Sequence, residues 1–261
     1  MKKIIRLAGV NVANDALPRV EATPGEMLLA SIPELIFWLQ AGARHQVDAT
    51  TYRDRSRGAT LSTVAASQYR YAQGAFASGA PALVGVDGAT ANYVPSLGTD
   101  LRPDRWTVAT VVQVPDTLAS DNNGLLGMQV SHTTGAIGMR IDFRHVQGIR
   151  LLGESAADSR VFYVGSQWKA GPALIVFTFS QENGLTLRVN GAEVARNASD
   201  RRVLTDTRWK LGQSGTAAFH NFAFSGRIGH LMMFNTDLAA LQNRGYLAGL
   251  ESVLKSFYGI A

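Results

Sequence analysis

Between Trp38 and Phe234 the chain never settles into a helical period. Short runs rich in Val, Ile, Phe and Thr recur instead, and turns carrying many of the chain's 26 glycines separate them. Such residues suit a pleated, half-buried surface, while Gly, Asn and Asp suit the turns between strands. No helix there is strong enough to make the crossover of a βαβ unit. At least ten strands fit between those two residues. Residues 106–114 are apolar on both faces and read as a central buried strand, as do residues 173–179. Residues 136–143 alternate: Ile137, Met139, Ile141 and Phe143 fall on one side, Arg140 and Asp142 on the other. A period of two sends the first set to a core and the second toward water or a ligand. Residues 185–195 read as a hairpin, because Asn190-Gly191 tolerates the positive φ angles of a type I′ turn. Residues 224–234 give one more strand.

The period changes at both ends. Leu238, Leu241, Leu247, Leu250 and Leu254 fall at helical spacing, and Asn235 or Thr236 is placed to cap a closing helix of about four turns. Residues 1–33 read as an arm and linker: 4–10 form a short strand, and a polar stretch with Pro18, Pro24 and Gly25 follows. The arm is expected to pair either with the domain's own edge or with another chain, and under the main functional reading below it is the assembly element. Deletion of residues 1–30 is then expected to leave the remaining domain, 34–261, folded.

Composition narrows the chemistry. Hydrophobic residues make up 46% and charged residues 17%, enough for a large core. There is no cysteine, which excludes disulfides, thiolate zinc sites and cysteine nucleophiles. No apolar run approaches the ~18 residues of a membrane helix, so no membrane insertion is expected. The opening Met-Lys-Lys-Ile-Ile mimics a secretion signal, but Arg6 and Asn11 interrupt it and that route is rejected. The net charge of +5 rests on arginine without basic runs, and Arg53-Asp54-Arg55-Ser56-Arg57 carries its own acid. Nucleic acid is not an expected partner.

Several segments together resemble a known family. Leu35-Ile36-Phe37-Trp38-Leu39-Gln40-Ala41, followed by Tyr52-Arg53-Asp54-Arg55-Ser56-Arg57-Gly58, resembles the opening of concanavalin A-like, laminin-G-type lectin domains, with their "W-L-D-A" strand and "W-x-D-x-S-G" turn. Pro81 to Gly88 resembles "P-x-x-x-F-D-G", and Val189-Asn190-Gly191 resembles "V-x-V-N-G". Gly226 to Asn235 resembles "G-x-I-x-E-L-x-I-Y-N", and Tyr246-Leu247 with Phe257-Tyr258-Gly259-Ile260 resembles the closing "Y-L-x-x-K-Y-G-I". Gln40, Tyr52, Val86 and His230 stand where that pattern has Asp, Trp, Phe and Glu. The resemblance spans residues 34–261. It implies an all-β fold, a concanavalin A-like jelly-roll sandwich of two antiparallel sheets, with the C-terminal helix and N-terminal arm appended. It also implies ligands on the concave sheet or rim loops, glycans above all, some held through calcium.

Glycan contact calls for aromatic faces and planar polar groups. Tyr93, Tyr163 and Trp168 near turns, with Arg140 and Arg144 on the polar strand face, are the candidate glycan-binding residues. Calcium takes oxygen ligands, and Asp121-Asn122-Asn123 is the best local cluster for it. Glycoside hydrolysis needs two carboxylates within about 5–9 Å, which one strand supplies at alternate positions, and no such run exists. No Gly-x-Ser-x-Gly elbow, paired-histidine zinc motif or phosphate loop exists either. The expectation is therefore a protein that is not an enzyme and has no cofactor beyond a candidate calcium ion. Three classes remain: a bacteriophage virion component (tail, baseplate or fibre) carrying a lectin-like domain, with a capsid decoration protein without ligand as its ligand-free form; a carbohydrate-binding module of a bacterial surface or secreted protein; and, against the expectation, a glycosidase or lyase with an unrecognised site. The first is the main reading. It implies a homo-oligomer made in the host cytoplasm and located in the virion, with other virion proteins and host-surface glycans as partners.

Overall fold

The computed structural model describes residues 22–46, 51–56, 60–62, 69–85, 101–115, 123–128, 140–144, 148–152, 171–204, 209–211 and 224–261. The strands among them are β1 (Leu35–Gln40), β2 (Thr51–Arg53), β3 (Thr60–Ser62), β4 (Tyr69–Ala72), β5 (Ala82–Gly85), β6 (Arg105–Gln113) and β7 (Asn123–Met128). Then follow β8 (Arg140–Arg144), β9 (Gly148–Leu152), β10 (Ala173–Ser180), β11 (Gly184–Val189), β12 (Ala192–Asn197), β13 (Trp209–Leu211) and β14 (Arg227–Phe234). Two helices, α1 (Pro24–Ser31) and α2 (Arg244–Tyr258), stand near the ends of the described chain. The pairings are antiparallel, so the fold is mostly antiparallel β-sheet with a C-terminal helix.

The large sheet has eight strands in the order β12-β11-β10-β6-β14-β5-β4, with β1 paired to β14. A four-stranded sheet runs β13-β7-β8-β9, and β2 pairs with β3. Strand β6 explains how the layers are held. Its Trp106, Val108 and Val112 join a core with Phe177 and Phe179 of β10 and with Leu126, Ile141 and Phe143 of the smaller sheet. Its Ala109 and Val111 point the other way, into a second core with Leu174, Val176 and Met232. Leu29 of α1 and Leu247, Leu250 and Leu254 of α2 close that second core. The large sheet is thus covered on both faces, which is why its central strands read as unbroken apolar runs. Burying one such Leu or Phe side chain contributes about 1.5–3 kcal/mol. Ile141 and Phe143 turn inward as the alternation predicts.

The hairpin forms as its sequence dictates. Asn190 and Gly191 take φ of 52° and 88°. The Asn190 side chain also accepts from the Leu174 backbone N–H at 2.9 Å, tying the turn to β10.

Both ends depart from expectation. Residues 24–31, within the stretch read as linker, form a helix packed on α2. Thr23 and Glu26 make a reciprocal capping box, with Pro24 opening the first turn. Leu29 is 1% exposed, so deleting residues 1–30 removes core rather than linker. Residues 1–21, including the arm strand 4–10, lie outside the described residues. Helix α2 begins at Arg244, later than the leucine spacing suggests, after a 3₁₀ turn over Leu241–Asn243. Polar side chains divert residues 236–240 into a turn instead: Asp237 accepts from the Ala239 N–H at 2.9 Å and Thr107 accepts from the Leu238 N–H at 3.0 Å. Leu238 is still buried, but Leu241 is 78% exposed and belongs to no core.

Candidate functional site

The strand ends of the large sheet gather at one rim. Antiparallel pairing puts the starts of β1, β6 and β11 on the same side as the ends of β10 and β14. The residues there are polar, and they line a cleft of roughly 400 Å³ between the β10–β11 turn and the segment after β14. Glu34 precedes β1, Asp104 precedes β6, Ser180 to Asn183 form the turn, and Asn235 to Asp237 follow β14.

Asp237 organises this cleft. It is 3% exposed, and its Oδ2 accepts from Ser180 Oγ and from Asn183 Nδ2, both at 2.8 Å. Ser180 Oγ in turn accepts from the Asn183 N–H at 3.1 Å. The Asn243 amide donates to the Asp237 carbonyl at 2.8 Å and to Thr236 Oγ1 at 3.1 Å. Thr107 Oγ1 donates to the Thr236 carbonyl at 2.7 Å. Glu34 sits at φ 60°, and its carbonyl accepts from the Asn235 N–H at 2.9 Å. A non-glycine residue in that conformation is uncommon and is kept only where its surroundings fix it. Around this frame, the side chains of Gln181, Glu182, Gln242 and Glu34 make no hydrogen bond among the described residues, while the Gln181 N–H donates to the Asp104 carbonyl at 3.1 Å. Carboxylates accept from hydroxyls, and amides both donate and accept, so the cleft is equipped for a hydroxyl-rich ligand. Among the described residues no aromatic ring lines it.

A second polar cluster lies between α1 and β1. Glu26 accepts from Arg55 Nη1 at 2.9 Å and from Arg44. The Arg55 guanidinium lies 3.9 Å from the Trp38 ring centroid, a cation–π contact, and also donates to Gln40. Asp54 Oδ1 accepts from the Trp38 and Ser56 backbone N–H groups, each at 2.9 Å, and from Ser56 Oγ at 2.8 Å. Burial opposes ionisation of Glu26, but the Thr23 N–H and the two arginines outweigh it and hold its carboxyl below the usual range. Burial and the charges of Arg55 and Arg44 push His45 down to about 4. Burial, with the Arg55 charge, pushes His230 down to about 3, and its Nδ1 lies 2.6 Å from the Tyr258 hydroxyl. Both imidazoles are neutral near pH 7. This cluster joins α1, β1 and β14, and its donors and acceptors are largely spent on one another.

The residues singled out in the sequence are placed as follows. Tyr93, Tyr163, Trp168, Asp121 and Asn122 lie outside the described residues. Arg140 and Arg144 are the two ends of β8, and Asn123 opens β7 opposite Phe143, one register position from Arg144. Among the described residues no three His, Asp or Glu side chains gather as a metal site. The rim cleft was missed because its parts are scattered from Glu34 to Asn243. Its signals were present as the turn Ser180-Gln181-Glu182-Asn183-Gly184 between two apolar runs and as Asn235-Thr236-Asp237 after the last strand.

No family model matches the chain, and no curated protein matches it. Solved structures do. The sialidase of Trypanosoma rangeli in complex with sialic acid superposes with a TM-score of 0.62 at 16% identity. The match covers 89% of this chain and 37% of that one. The same sialidase without a named ligand gives 0.56 at 14% identity, again over 89% and 37%. Its covalent intermediate with 2,3-difluorosialic acid gives 0.56 at 14%, over 86% and 34%. The chain therefore shares a fold with part of these enzymes and spans little more than a third of their length. This overturns the expectation that the chain is not an enzyme. That expectation rested on the missing carboxylate pair along one strand, yet the three solved chains described above are sialidases.

Proposed function

We propose that the chain is a carbohydrate-recognising lectin-type domain, a jelly-roll sandwich, of a sugar-active protein, and that it takes sugar hydroxyls in the rim cleft. The observation that carries this reading is the likeness to sialidases over 89% of the chain. The rim cleft fits it, since preorganised carboxylate and amide groups suit vicinal hydroxyls. Of the functions weighed from sequence, the carbohydrate-binding module is the one this supports; the virion reading draws no support from the likeness. Hydrolysis of sugars by the whole protein belongs to the same proposal.

The test is a glycan-binding screen of the full chain, run with fluorogenic glycosides to read cleavage. The double substitution Gln181→Ala/Glu182→Ala alters two exposed cleft side chains and should leave the thermal midpoint in place. Bound glycans should weaken by roughly tenfold, the effect of losing one or two hydrogen bonds to charged or planar groups. Binding unchanged in the double variant would move the site elsewhere, and no glycan bound or cleaved would end the reading.

A further inference from the structure

Helices α1 and α2 cover one face of the large sheet, and their own outer face is left open. Among the described residues the exposed large hydrophobic side chains are Met27, Leu28, Leu241, Tyr246 and Phe257, and all of them lie on these helices or on the turn entering α2. Four of them adjoin. Gly25 faces Val253 and Gly249 faces Leu28, so α1 runs antiparallel along α2. Tyr246 lies one turn before Gly249 and Phe257 one turn after Val253, so the two rings stand at opposite ends of the α1 crossing.

The charges of the two helices are drawn off this face. Glu26, the one charged residue of α1, turns inward onto Arg44 and Arg55. On α2, Glu251 takes Arg188 of β11, Lys255 lies against the hairpin at Gly191, and Arg244 acts on the Glu193 carboxylate of β12. Apart from Arg244, every exposed residue of α1 and α2 is uncharged. A solvated helix face ordinarily carries charged residues, whereas Met and aromatic rings without charge make up the core of a protein interface.

We infer that this face is the contact of a two-fold homodimer, with α1 and α2 of one copy packing on α1 and α2 of another. Charge selects a second copy. The chain carries +5, so two copies repel, and that repulsion is least where the surface bears no charge. An uncharged face offers nothing to a strongly acidic or basic partner, while it matches itself across a two-fold axis. Size sets the strength. Helix α2 is about 22 Å long and two packed helices are about 20 Å wide, a footprint of roughly 450 Å² per copy and 900 Å² per pair. That is below the standard size of a stable complex, so the dimer is weak, with a dissociation constant of about 10–100 µM. Assembly then rests on the helices and not on the arm read from the sequence. Each dimer carries two rim clefts and would grip a many-branched ligand with avidity, but the association does not depend on what the cleft binds.

Sedimentation velocity on the full chain, from about 2 to about 500 µM, tests this across the expected dissociation constant. The mean mass should climb from one chain of 28.0 kDa toward two. Met27→Glu and Tyr246→Glu put like charges into the contact and should each weaken association at least about tenfold. Both side chains are exposed, so the thermal midpoint of the dilute monomer should stay in place. Met27→Leu keeps the face apolar and should associate as the parent does. Association should hold or tighten as sodium chloride rises, because salt screens the net repulsion and no ion pair makes the contact. Removal of residues 1–21 should leave it intact. A monomer at every concentration, or a dimer indifferent to both glutamates, overturns the assignment. A dimer that salt dissociates overturns it too, as does one lost with residues 1–21. A chain that dimerises only after residues 1–21 are removed would make that segment the occupant of the face and likewise overturn it.

Discussion

Single positions in this chain are constrained by their neighbours in space more than by their local propensity. A Cβ built on Gly229 would lie 2.4 Å from the Tyr258 ring. That ring cannot yield freely, because it packs edge-on against Phe76 at 4.9 Å and its hydroxyl meets His230 at 2.6 Å. Gly229→Ala is therefore expected to cost about 2–4 kcal/mol by overpacking, read from urea unfolding. The two buried imidazoles predict a pH dependence. His45 and His230 have folded pKa values of about 4 and about 3, below the unfolded value near 6.5. Between those limits the unfolded chain binds more protons, so stability rises with pH and is lost on acidification. Loss should begin below about pH 6.5 and continue to about pH 3, with Glu26, whose folded pKa is also lowered, adding to it in the acid part. His45→Gln should flatten the slope between about pH 6.5 and 4 in denaturant midpoints; an unchanged slope would remove His45 from the account. Neither effect is legible in the sequence, where Gly229 and His230 are two residues of an apolar strand. Asn190-Gly191 is legible, because a turn needs only its own φ angles.

Elements show the same division between local and distant causes. The inner strands were readable because both faces of the large sheet are buried, leaving no polar alternation to confuse them. Helix α1 was readable too, since Thr23-Pro24-Gly25-Glu26 is a capping-box sequence, but the prolines around it suggested a linker. What decides the matter is α2: Gly25 and Gly249 let the two helices approach, with Val253 and Leu28 at the contact. The start of α2 was misplaced because Thr107, on a strand 129 residues earlier, takes the Thr236 carbonyl into another hydrogen bond. A truncation removing residues 1–21 keeps every α1 contact among the described residues and should leave the thermal midpoint nearly unchanged. A truncation removing residues 1–32 uncovers the second core and should lower it by well over 5 °C, the scale set by losing the buried Leu29 and Ile32 side chains. Thr23→Ala alone should cost about 1 kcal/mol, the usual value of an N-cap. Equal midpoints for the two truncations would mean that α1 does not stabilise the sheet.

At the scale of the whole molecule, the large sheet is the framework for the rim cleft. The cleft is assembled from Glu34, Asp104, Asn183 and Asp237. No local pattern could disclose it, because strand order brings these positions together only after β14 has paired between β6 and β1. The aromatic and arginine candidates drawn from local context do not include any residue of the cleft. This architecture predicts an uneven stability. Strands β6, β10 and β14 are flanked on both edges and buried on both faces. Their amides should exchange only through global unfolding. Strand β12 is the outer edge of the sheet, partly exposed, with a register shift between Leu187 and Arg188 of its partner. Such irregular, charged edges discourage further strand addition. Amides on the outward side of β12 should exchange orders of magnitude faster than those of β6 in native-state hydrogen exchange. Comparable exchange rates in the two strands would mean that the sheet opens as a single unit.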